Sequence, residues 1–213
     1  QEGKPTGSYY DMFSMNSAIQ ITQELYNRID ETVPGDGDCL YHCFLRMAGE
    51  FGMEPWQMRE LISNHIRNNA DYFQVQWFAE MKRHLEREGI INLLLEPYRD
   101  NPEWVMDLYL EHAVKNKRNA TEGGRNLTYG SDIEVDAFAR MYNFAIEVYQ
   151  WGLAPGLPRT KNTARRASLL LPQPFGEPRP DGLVEWQIVQ SHNHYEYVRQ
   201  QDPTKQPRGP YGR

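Results

Sequence analysis

A cysteine behind a turn of glycines and aspartates, and a histidine two residues ahead of a carboxylate, are the parts of this sequence equipped for covalent chemistry. Cys39 follows Pro34-Gly35-Asp36-Gly37-Asp38, and behind it Leu40, Cys43, Phe44 and Met47 recur at i, i+3, i+4 and i+7. That spacing predicts a buried helix opened by Cys39. A helix N-terminus offers unpaired backbone N–H groups and the positive end of the macrodipole, both of which favour thiolate over thiol. The glycines at 35 and 37 permit a tight turn that aims the N–H groups around Cys39 at a developing oxyanion. The same residues also describe a plain helix-capping turn with Cys39 as buried filler, and a base from elsewhere in the chain is what would separate the two readings.

Six histidines could supply that base. His65 and His112 fall on or beside apolar helical stripes, as core or boundary residues do, and His84 reads as solvated. His42 lies one turn beyond Cys39 but points along the helix side rather than over its end. His192 and His194 remain, both at the end of an expected strand. In an extended segment His194 shares a face with Glu196, so the carboxylate could accept the imidazole Nδ1–H and leave Nε2 for the thiol. A surface histidine and glutamate on an edge strand is the other reading of that pair.

The elements that must position these groups fall into two halves. Ala18, Ile21, Leu25 and Ile29 give a helical face over Asn16 to Ile29, Pro55 can start a helix with a Leu61, Ile62, His65 and Ile66 stripe, and Phe73, Trp77, Met81 and Leu85 give another. Trp104, Leu108 and His112 suggest a further helix, while 115–126 reads as an exposed loop. Ser131 and Glu134 have capping-box spacing ahead of Ile133, Ala137, Phe138 and Met141. Beyond them Phe144, Ile146 and Val148 alternate with polar neighbours, as do Val184, Trp186 and Ile188, and Leu169-Leu170-Leu171 can form a strand between the two. A last strand starts near His194. Helices first and strands later is the order of an α+β fold, a helical half packed on a small sheet.

Composition narrows the function. A length of 213 residues with 39% hydrophobic content suits one catalytic domain, and a net charge of −6 without a basic stripe argues against nucleic acid. No apolar run is long enough to span a membrane. Cys39 and Cys43, four apart on one helix, are poorly placed for a disulfide, and as reduced thiols they suit the cytoplasm or nucleus. With His42 they reach three donors at most, which argues against a structural zinc.

Asp36-Gly37-Asp38-Cys39-Leu40-Tyr41 resembles the Asp-Gly-x-Cys-Leu-Phe/Tyr motif of the ovarian-tumour (OTU) cysteine proteases, and Asn193-His194-Tyr195-Glu196-Tyr197-Val198 resembles their closing motif. Between these, 69–73 and 130–139 are similar to the family's central helices and 146–149 to the strand that follows. The resemblance implies a papain-like OTU fold with a mainly antiparallel sheet, no cofactor, and a deubiquitinating activity on ubiquitin, polyubiquitin chains or ubiquitinated proteins. It makes Cys39 the nucleophile, His194 the base, Asp36 the motif aspartate, and Gly37 and Asp38 the oxyanion turn. Glu196 stands where many members carry Asp or Asn, and Tyr129 where many carry Trp. The pattern of the residues gives a mobile arm at 1–15, one catalytic domain over 16–199 and a flexible tail at 200–213 too poor in apolar residues to fold alone, and against the family the domain carries a longer helical insertion at about 89–128. The rivals of the deubiquitinase reading are a catalytically weak ubiquitin-binding adaptor and a thiol peptidase for another ubiquitin-like modifier.

Overall fold

The structure, a computed structural model, describes residues 28–30, 32–115, 129–153, 168–177, 179–180, 182, 184–191 and 194–199. The expected arm and tail, most of the helix expected over Asn16 to Ile29, and the segment 116–128 lie outside the described residues. Ile29, the expected end of that helix, instead belongs to a two-residue strand, β1 (Ile29–Asp30).

Among the described residues five α-helices follow: α1 (Cys39–Ala48), α2 (Pro55–Asn68), α3 (Ala70–Arg87), α4 (Pro102–Tyr109) and α5 (Asp132–Tyr142). Short 3-10 turns at Ile90–Leu93 and Glu96–Tyr98 join α3 to α4, and a π-helical turn, Leu110–Val114, continues α4. Strands β2 (Ile146–Leu153), β3 (Ser168–Phe175), β4 (Trp186–Ser191) and β5 (His194–Val198) complete a five-stranded sheet of order β1-β5-β4-β2-β3. Only the β2–β4 pairing is parallel, so the α+β class and the mainly antiparallel sheet expected from the sequence are what the structure shows.

Helix α1 is the centre of the molecule, with Leu40, Phe44 and Met47 fully buried along the expected stripe. Burying each such side chain contributes about 1.5–3 kcal/mol, which holds the helix, and with it Cys39, in one place. Phe44 stacks on Phe138 of α5 at a centroid distance of 4.2 Å. The start of α5 is fixed by the capping box read from the sequence. Ser131 N–H donates to Glu134 Oε2 at 2.7 Å, and Ile133 N–H to Ser131 Oγ at 3.3 Å. Glu134 itself is buried and accepts from the Tyr109 hydroxyl at 2.8 Å. Immediately before that cap, Gly130 packs so closely on Leu40 that an added Cβ would force the Leu40 side chain to shift.

Two helical stripes differ from expectation. On α4 the buried residues are Val105, Met106 and Tyr109, continued by Leu110, Ala113 and Val114, whereas Trp104 is exposed and rests on the Tyr98 ring at 4.9 Å. The bulkiest side chain therefore marks the outer face, because a neighbouring aromatic covers one side of it there. On α2 the inner face runs through Met58, Arg59, Ile62, Ser63 and Ile66, and Leu61 is exposed. His84 is not solvated either: its ring packs edge-on against Tyr109 at 5.4 Å, and burial holds its pKa below the ordinary histidine value.

The sheet has two faces of unequal depth. Ile146, Val148, Trp186, Ile188 and Tyr195 join the helices in the main core, while Ile29, Tyr149, Val189 and Val198 form a smaller cluster on the opposite side. Period-2 alternation places His194 and Glu196 on the face of Val198, and Glu196 pairs in register with Val189.

Candidate active site

Gly37 has φ of +85°, a conformation that costs a residue with a side chain, and it lets the chain reverse just before α1. Asp36 stabilises the reversal. Its Oδ1 accepts the Asp38 N–H at 2.9 Å, and its Oδ2 faces His42 Nε2 at 3.2 Å. Burial alone would raise the pKa of Asp36, yet the hydrogen bonds from His42 and the Asp38 N–H outweigh it and leave the carboxyl below its ordinary value. Asp38 is the N-cap, and its carbonyl accepts the His42 N–H at 2.9 Å to start the helix. The Cys39 amide, on the same peptide unit, therefore points back out of the helix end, where an oxyanion would form.

Cys39 is 1% exposed, and its sulfur accepts the Tyr195 backbone N–H at 3.4 Å. This contact spans 156 residues of sequence and brings the start of β5 onto the start of α1. The topology explains why it can form. Strand β1 pairs only with Tyr197 and Val198. The N-terminal end of β5 thus runs on past it, with the Tyr195 N–H turned to the start of α1. Arg46 of α1 fastens the two-residue strand by an ion pair to Asp30 at 2.6 Å.

The thiol differs in one respect from the sequence expectation. Burial pushes its pKa up; the N–H groups of Tyr195 and Leu40 draw it down, the charge of Asp36 raises it, its own N–H lowers it, and the net shift is upward. Desolvation here outweighs the helix terminus, so the resting group is a neutral thiol and not a preformed thiolate. Iodoacetamide should therefore alkylate Cys39 of the uncomplexed protein slowly at neutral pH, with a rate still rising above about pH 8.5, the ordinary thiol value. Peptide mass analysis across a pH series checks this, and a rate that levels off below neutrality would contradict it.

His194 is half-buried and Glu196 buried. They share a face as the strand period requires, but the imidazole nitrogen nearest the carboxylate is Nε2, at 4.0 Å from Oε1. The nitrogen that faces the carboxylate is thus Nε2, not the Nδ1 expected from the sequence. A separation of 4.0 Å is an electrostatic contact rather than a hydrogen bond. His192 lies outside the described residues.

Arg59 was not among the residues suggested by the sequence. Its guanidinium meets Asp38 Oδ1 at 2.6 Å and Gly37 O at 3.2 Å, so it holds the turn from the side opposite Asp36. The signal was available: an arginine in line with Met58, Ile62 and Ile66 on an apolar helix face needs a buried partner, and Asp38 beside the thiol is one. Among the described residues, no cluster of three or more His, Cys, Asp or Glu side chains could hold a metal ion, and no helix is long and apolar enough to cross a membrane.

No protein-family model matches the sequence, and no curated protein sequence matches it. Solved structures do. The chain is similar to the viral OTU domain protease from Farallon virus, at 18% identity over 82% of this chain and 86% of that one, with a TM-score of 0.48. It is similar to the OTU domain of OTUD1, at 16% identity over 89% of this chain and 99% of that one, with a TM-score of 0.48. A third likeness is to the viral OTU domain protease from Dera Ghazi Khan virus, at 14% identity over 82% of this chain and 83% of that one, with a TM-score of 0.43.

Proposed function

We propose that this chain is a cysteine isopeptidase that removes ubiquitin from proteins, with Cys39 as nucleophile and His194 as its base. The observation that carries this reading is the Tyr195 N–H on the Cys39 sulfur, which joins the two motifs of the OTU resemblance in space. In the reaction His194 takes the thiol proton as Cys39 Sγ attacks the carbonyl carbon of ubiquitin's C-terminal glycine. The carbonyl oxygen becomes an oxyanion facing the N–H groups at the start of α1. Collapse of that intermediate breaks the C–N bond to the substrate lysine, and the His194 imidazolium protonates the departing amine. Water, deprotonated by the same imidazole, then hydrolyses the thioester to release ubiquitin's carboxylate and restore the thiol. The steps use side chains, backbone dipoles and water.

A protonated, buried thiol fits an enzyme whose nucleophile is activated as substrate enters. It also supports a second reading, that of a ubiquitin-binding adaptor with weak catalysis, which the 4.0 Å spacing of His194 and Glu196 favours as well. Incubation with ubiquitin bearing a C-terminal electrophile, followed by intact mass and peptide mapping, separates them. One adduct, on Cys39, is the expected result. Binding without an adduct would favour the adaptor, and an adduct on Cys43 would overturn the assignment of the nucleophile. A parallel panel with other ubiquitin-like modifiers tests the peptidase alternative.

A further inference from the structure

Arg59 is 3% exposed on the inner face of α2, and every direction of its guanidinium is used. Nε donates to Asp38 Oδ1 at 2.7 Å, and the terminal nitrogens donate to the carbonyls of Gly37 at 3.2 Å, Ala113 at 3.3 Å and Val114 at 3.0 Å. Its central carbon lies 4.0 Å from the centre of the Tyr41 ring. A buried guanidinium is costly unless it is satisfied in this way, and an apolar side chain would fill the same space more cheaply. What an apolar side chain could not do is orient the turn.

The Gly37–Asp38 peptide is where orientation matters. A trans peptide carries its C=O and N–H on opposite sides of one plane. Here the oxygen is held by Arg59 at 3.2 Å and the N–H by Asp36 at 2.9 Å, so groups from two different parts of the chain grip one plane at both ends. Gly37 offers little torsional resistance of its own, because glycine enters both signs of φ. A half-turn of this plane would reverse the dipole next to the peptide that carries the Cys39 N–H, and with it the field in which an oxyanion forms.

We infer that Arg59 is a positioning residue of the thiol site. With Asp36 it fixes the Gly37–Asp38 peptide plane, and through the Ala113 and Val114 carbonyls it ties that plane to the end of the Leu110–Val114 turn. Its effect on turnover rests on the reading of Cys39 as an acyl-transfer nucleophile, while the fixed peptide plane does not. The segment from Ile90 to Val114 thereby gains a role at the site that neither motif reveals.

Arg59→Lys tests this, since lysine keeps the charge and loses the planar fork. Amide hydrogen exchange at Asp38 should accelerate by at least about 10-fold, with the interior amides of α2 unchanged, because only the clamp is released. On a fluorogenic ubiquitin substrate kcat should fall about 30- to 300-fold with KM within about 3-fold, as for a loss confined to the transition state. Alkylation of Cys39 by iodoacetamide, a displacement that forms no oxyanion, should stay within about 3-fold of the parent. A merely structural arginine gives a different pattern: alkylation and kcat fall together, or exchange rises throughout α2, and either result overturns the proposal. So does unchanged exchange at Asp38, or a kcat within about 3-fold of the parent. Arg59→Gln, which keeps donors without charge, is the second variant; failure of both to fold would make Arg59 structural and likewise overturn the inference. If the parent cleaves no ubiquitin substrate and Asp38 exchange still responds, the proposed function falls and the positioning role stands.

Discussion

Cys39→Ala is expected to lower kcat/KM on ubiquitin chains by at least about 10,000-fold, because without the sulfur no thioester can form and only binding and the oxyanion turn remain. The fold should survive. The substitution removes one atom at the start of α1 and leaves Leu40, Cys43, Phe44 and Met47 in the core. Loss of a single buried group of this size costs about 1 kcal/mol, which a thermal melt reads as a shift of a few degrees. The Tyr195 N–H loses its acceptor as well, so the start of β5 should exchange faster with solvent while the rest of the sheet does not. Turnover within an order of magnitude of the parent, in protein shown by mass to carry the substitution, would mean that the nucleophile lies elsewhere.

His194→Ala should come close to the same inactivity, about 1,000- to 100,000-fold down, because the proposed base that takes the thiol proton is lost. This loss should exceed that of its neighbours. Glu196→Ala should lose about 10- to 100-fold, since a carboxylate 4.0 Å from the ring biases the tautomer and supports the imidazolium without bonding to it. Asp36→Ala should fall between them at roughly 100-fold, because it frees one end of the Gly37–Asp38 peptide. The measurements are kcat/KM on a fluorogenic ubiquitin substrate and its pH profile, with circular dichroism as the folding control. In His194→Ala the acidic limb of the profile should be replaced by a slow rise with pH that follows thiol ionisation alone. Parent-like kinetics in Glu196→Ala beside a dead Asp36→Ala would transfer the supporting role to Asp36.

Local chemistry was legible in the sequence wherever one side chain had one strong reason to be where it is. The stripe behind Cys39, the Ser131–Glu134 capping box and the alternation through Ile146 and Val148 all appear in the structure as the periods require. Trp104 misled because a bulky aromatic can be satisfied by a single neighbour, here Tyr98, on an otherwise outer face. Strand order was not legible. Nothing in the alternation of β2 and β4 shows that they pair in parallel, or that a two-residue β1 stops short of Tyr195. Residue types at the site were readable, and their balance was not: the raised thiol depends on how much of the molecule closes over Cys39, which no local spacing encodes. Arg59 escaped for the same reason, as its four acceptors come from two segments far from it in sequence, 37–38 and 113–114.

The main-chain contact between Tyr195 and Cys39 also bears on when, in the life of the polypeptide, the proposed chemistry could begin. Cys39 and His194 are separated by most of the described chain, and at about 5–20 residues per second a ribosome needs on the order of 8–30 s to pass from one to the other. During that interval α1 can fold around Cys39, but His194, its proposed base, has not yet been made. On the proposed mechanism its deprotonation by His194 waits for β5, paired with its sequence neighbour β4, to dock on α1 through a contact that spans 156 residues, the kind slowest for a chain to make. On the proposed reading, a nascent or truncated chain that ends before β5 would carry Cys39 without its base, so the proposed activity would arrive only with β5.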